Sequence, residues 1–105
     1  MSFQTTYNWS SGNLSLLENY RLVRITGAGA GSATLTLPQV TAANSFIDFG
    51  YSIVLVDTGG FVSGVTIQPN GSDGGYLING ESQFIFTTTN GGITITYDGD
   101  GRWVA

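Results

Sequence analysis

The chain has 105 residues, the usual size for one domain around one core, and 41% of them are hydrophobic, enough to fold despite 16 glycines. Charged residues make up only 10%, lysine, histidine and cysteine are absent, and the formal net charge is −4. Three arginines against seven carboxylates exclude nucleic acid and an anionic membrane surface as partners, and without His or Cys the commonest bases, metal ligands and nucleophiles are gone.

In chain order, Phe3-Gln4-Thr5-Thr6-Tyr7-Asn8-Trp9 alternates, with Phe3, Thr5, Tyr7 and Trp9 on one face, the period of a strand. Ser11-Gly12-Asn13 signals a turn. Leu14 to Asn19 suits a strand or one helical turn, and Tyr20 to Ile25 a strand. The glycine-rich stretch from Gly27 to Ser32 reads as a loop or wide hairpin connection. Thr34-Leu35-Thr36-Leu37-Pro38 is a short strand stopped by proline, which has no N–H to give a ladder. Gln39 to Phe49 is irregular, and its Phe46, Ile47 and Phe49 form either a core plug or a contact surface.

Tyr51 to Asp57 is the most apolar strand and the expected centre of the core. Val65-Thr66-Ile67-Gln68-Pro69 repeats the strand-then-proline pattern, and Asn70 to Gly75 is a long turn. Tyr76-Leu77-Ile78 is a brief strand closed by Asn79-Gly80, a tight-turn dipeptide. Gln83 to Thr88 and Ile93 to Tyr97, joined through Asn90-Gly91-Gly92, read as an antiparallel hairpin. The chain closes on Asp98-Gly99-Asp100-Gly101, then Arg102, Trp103, Val104 and Ala105, with Trp103 offering a large apolar lid.

This pattern predicts an all-β fold: a single antiparallel β-sandwich or jelly-roll-like barrel of about eight or nine short strands. One domain spans 1–105, with 1–19 expected as an N-terminal arm used in assembly contacts. No repeat period, secretory signal or apolar run of transmembrane length is visible.

The chemistry-bearing residues favour plain roles. Asp98 and Asp100 resemble the opening of a calcium loop, but its later ligands and bidentate glutamate are missing, so a turn is expected. Asp73 with Asn70 and Ser72 offers an oxygen-rich loop on equally few residues. A glycosidase would need two of Asp48, Asp57, Asp73, Glu81, Asp98 and Asp100 to face each other across a cleft, yet most sit in apparent turns. Tyr7, Trp9, Tyr76, Tyr97 and Trp103 suit a core or an interface better than a sugar-stacking platform. No enzymatic activity, metal or cofactor is expected.

From Tyr20 to Val104, Thr34–Pro38, Gly50–Asp57, Val65–Gly71, Leu77–Gly80 and Gly92–Val104 follow one another in an order that resembles an all-β module of bacteriophage virion proteins. Such modules occur in tail-fibre, baseplate and head-appendage proteins. The resemblance spans 20–105 and implies a non-enzymatic virion component, usually trimeric. Its loop before the Gly50 strand is usually polar, whereas Phe46-Ile47-Asp48-Phe49 here is apolar and suggests a contact surface. The expectation is a small head-decoration (cement) protein bound to itself and to a major capsid or other virion protein. Phe3, Tyr7, Trp9, Phe46, Ile47 and Phe49 are the expected interface residues. The alternative is a short fibre-tip or adhesin domain that binds a host-surface glycan.

Overall fold

A computed structural model describes residues 5–105 of the chain. Among them are ten strands and no helix: β1 (Thr5–Trp9), β2 (Leu14–Ser15), β3 (Tyr20–Ile25), β4 (Thr34–Thr36), β5 (Ser52–Asp57), β6 (Val65–Gln68), β7 (Leu77–Ile78), β8 (Phe84–Phe86), β9 (Gly92–Tyr97) and β10 (Arg102–Val104). They form two mixed sheets, one ordered β1-β3-β5-β9-β10-β7 and the other β2-β4-β6-β8.

The pairing departs from the antiparallel expectation. In the first sheet β1, β3 and β5 run parallel, and in the second so do β2, β4 and β6. The cause is the winding of the chain. Each pass lays one strand in the first sheet and the next in the second, then returns, so the following pass arrives in the same direction. Leu22 pairs with Val54 and Thr34 with Thr66, the same offset of 32 residues (54 − 22, 66 − 34) in both sheets. The second and third passes are therefore stacked copies of one turn. Their corners stack too, with Gly31 O accepting from the N–H groups of Ser63 and Gly64. Gly31 is obligatory at this crossing, because a Cβ there would run into the Phe61 carbonyl.

The fourth pass runs backwards. β8 lies antiparallel to β6, and β9 lies antiparallel to β5. The segments expected to form a hairpin, Gln83–Thr88 and Ile93–Tyr97, thus belong to different sheets. Asn90 at φ 57° turns the chain between them, as Asn tolerates better than most residues. Beyond β9, β10 pairs antiparallel with it and parallel with β7. The described part of the segment 1–19 is continuous with the sheets, since β1 and β2 are their edge strands.

Alternation explains which face each strand buries. Ile53 and Leu55 of β5, Val23 and Ile25 of β3, and Ile95 of β9 join Leu35, Val65, Ile67 and Phe86 of the second sheet in one core. Each such side chain contributes about 1.5–3 kcal/mol on burial. Trp103 closes this core at 0% exposure, its ring 5.2 Å from Tyr97 and 6.2 Å from Tyr51. Arg102 and Val104 on either side point to solvent. Asn79 and Gly80, both at positive φ, make the tight turn expected of them, with Ile78 bridging to Glu81.

One inward position breaks the apolar pattern. Trp9 registers with Ile25, and Ile25 with Asp57, so a carboxylate follows two core residues in the same row. Asp57 is buried, and it accepts hydrogen bonds from the backbone N–H groups of Gly59, Phe61, Val62 and Asn90 at 3.0–3.3 Å. Burial alone would raise its pKa, but the bonds from Asn90, Phe61, Val62 and Gly59 outweigh it and bring the carboxyl from 3.8 down to about 2.

Because the folded pKa lies below the unfolded one, the ionised group stabilises the fold fully above about pH 4, and that contribution drains away as the pH falls through about 2. A shift of this size corresponds to roughly 2 kcal/mol. Asp57→Asn is expected to lose about that much stability at pH 7 and to flatten the pH dependence below pH 4, as read from urea midpoints measured across the acid range.

Candidate binding site

Three return segments gather at one end of the passes: 16–19 between β2 and β3, 37–51 between β4 and β5, and 69–76 between β6 and β7. The first is four residues long and tight, with Tyr20 N–H bonded to Leu17 O. The second is much longer, and is an insertion on an otherwise regular stack. In stacked-turn architectures such insertions collect on one face, which is often where binding occurs.

The long return is held at several points. Asp73, buried at the base of the third return, accepts from Val40 N–H at 2.8 Å, Thr41 N–H at 3.0 Å and Thr41 Oγ1–H at 2.7 Å. The oxygen-rich loop around Asp73 is thus spent on the neighbouring backbone, not turned outward. Further along, Ile47 is buried in the core and Asp48 Oδ1 accepts from Phe49 N–H. Tyr51 then donates to Glu18 O at 2.6 Å, tying the end of the long return to the short one. Burial pushes this phenol up to about 12 against the opposing pull of Arg21, so it remains a donor across the physiological range.

Between the short and long returns lies a groove of two adjoining lobes that share Glu18 and Asn19, with volumes of about 520 and 390 Å3. Leu17, 63% exposed, lines the first lobe, and Phe46, 59% exposed, lines the second. Arg21 is fixed at the second lobe: its Nε donates to Ser52 O at 2.7 Å and its guanidinium lies 4.3 Å from the centre of the Tyr51 ring. The remaining polar lining is mostly amide, including Asn44 and Gln39.

The five expected interface residues that the structure describes fall into three groups. Phe46 and Phe49 are outward, Phe49 at 81% exposure beside the Gly99 turn. Trp9 and Ile47 are core residues and offer no surface: the Trp9 indole is buried, with Nε1 donating to Gly12 O, and Ile47 is the apolar plug of its loop. Tyr7 is half-buried edge-on against Tyr20 at 5.2 Å. Phe3 lies outside the described residues. The groove itself has no contiguous signature in the sequence, because its walls come from separate returns. Its one local signal was the apolar Phe46-Ile47-Asp48-Phe49 run.

Of the other acidic candidates, Asp98 has a local task. Asp98 Oδ1 accepts from the N–H groups of Asp100 and Arg102, making the closing turn. Among the described residues no three His, Cys, Asp or Glu side chains gather as a metal site would need. Of the aromatics weighed as a sugar platform, Trp9, Tyr97 and Trp103 are buried, whereas Tyr7 and Tyr76 are half-buried. No family model matches the chain, and no curated protein or solved structure matches it significantly.

Asp73 is the testable anchor of this face. Replacing it by alanine leaves the Val40 and Thr41 N–H groups without their acceptor, a loss of about 1–3 kcal/mol per stranded group at most. In Asp73→Ala, amide hydrogen exchange is expected to quicken at Val40 and Thr41 while the β3 and β5 amides keep their protection.

Proposed function

We propose that this chain is a non-enzymatic virion structural protein, a small head-decoration protein that assembles as a homotrimer and binds a capsid protein. The observation that carries the reading is Phe49, 81% exposed on a loop whose neighbours are fixed by Ile47 in the core and by Tyr51 on Glu18 O. An aromatic held outward on a pinned loop has little entropy left to lose on binding and suits the centre of a protein contact.

The outward face of the first sheet supports the same reading. Its rows combine Thr6 with Leu22 and Val54, and Asn8 with Arg24 and Val56, so it carries no carboxylate in these rows. Interfaces are depleted of Lys, Glu and Asp in this way. The order of strand, proline and turn elements that resembles phage virion modules adds the class of assembly. In this reading the two sheets face each other as a sandwich.

The test is co-sedimentation with empty heads, with the solution mass measured alongside. The wild-type protein is expected to run at three times its 11.1 kDa chain mass and to pellet with heads. Phe49→Ser should weaken head binding about 30-fold, the effect of a hot spot worth about 2 kcal/mol. A monomer that joins neither heads nor tails contradicts the proposal.

A further inference from the structure

The geometry points to the groove between the returns 16–19 and 37–51 as a saccharide site, taking a neutral oligosaccharide of two or three rings. Each of its lobes, about 520 and 390 Å3, falls within the roughly 300–1,000 Å3 typical of small-ligand sites. The chemistry of the lining narrows the ligand. Leu17, Ala42 and Phe46 supply apolar surface, and the Phe46 ring is open enough to take the C–H face of a sugar against it.

Asn19, Gln39 and Asn44 surround that surface with amides. Each amide carries a carbonyl acceptor and an N–H2 donor, the pair needed to bind adjacent hydroxyls, which themselves both donate and accept. A lipid chain would strand these amides, because polar groups buried without partners are costly.

Charge decides against an anionic ligand. The groove holds one guanidinium, Arg21, which is already bonded to Ser52 O and stacked on Tyr51, and one carboxylate, Glu18, lines the same lobe. Lysine is absent from the whole chain. A phosphate or sulfate would meet a single cation with its Nε and one face already engaged and the Glu18 carboxylate lining the same lobe, whereas sugar hydroxyls can donate to that carboxylate. The walls are also preset, through Tyr51 on Glu18 O and through Asp73 on Val40 and Thr41, so little ordering is left to be done on binding.

The site is separate from the Phe49 contact, and its test distinguishes the two. The probes are the neutral trisaccharides triacetylchitotriose, maltotriose and raffinose at millimolar concentration, with ligand-induced shifts followed on the 15N-labelled intact chain. At least one trisaccharide is expected to shift the amides of Leu17, Glu18, Asn19, Asn44 and Phe46 as a group. Phe46→Ala and Asn44→Ala should each weaken that binding at least tenfold while keeping the wild-type amide dispersion. Phe49→Ser should leave saccharide binding unchanged, and Phe46→Ala should still pellet with any heads that the wild type binds. No shifts with any of the three sugars, shifts scattered outside the groove, or tighter binding of inorganic phosphate at these amides would overturn the assignment.

Discussion

The fold turns on the carboxylate of Asp57. Three passes of the chain run parallel, and a fourth runs against them. Nothing in strand alternation alone forces that reversal, because a half-buried strand shows the same period in either direction. Asp57 sits at the end of β5, where the row it shares with Trp9 and Ile25 would place another apolar residue. Its oxygens take three N–H groups of its own corner loop and a fourth, from Asn90, on the connection that leads into the reversed strand β9. Asp57 N–H returns the link by donating to Gly91 O. The acid therefore joins the parallel stack to the strand that closes it.

The same economy recurs at the opposite end. There Asp73 uses its buried carboxylate to hold the long return of the second pass against the third. With so few charged residues, the chain spends its buried aspartates on backbone N–H groups that loops would otherwise leave unsatisfied. This fixation serves the proposed contacts, because an exposed phenylalanine on a floppy loop would lose much of any binding energy to ordering. The anchored return instead sets Phe46 at a groove and Phe49 toward open surface, two side chains three positions apart in different surroundings.

Much of the architecture was legible locally. The β5 run from Ser52 announces itself as a central strand, prolines 38 and 69 each follow a strand, Asn79-Gly80 makes its turn, and Trp103 lies in the core as a closing lid. The stacking was not legible. The 32-residue offset links only two passes, and the first registers with the second at a shorter spacing, Trp9 with Ile25, so no period recurs along the chain. Asn90-Gly91-Gly92 has hairpin chemistry but spans between sheets. The Phe46–Phe49 run offered both a plug and a surface, and it became both: Ile47 turned inward and the phenylalanines outward. The groove needs residues from three returns, which only the stacked passes bring together.

The most direct test of this account is an acid titration of the backbone amides by NMR. If the Asp57 carboxylate ties the stack to its reversed pass, the amides of Gly59, Phe61, Val62 and Asn90 will shift together, with one shared midpoint near 2. Four separate midpoints, or a common one near the ordinary 3.8 of an aspartate, would contradict it.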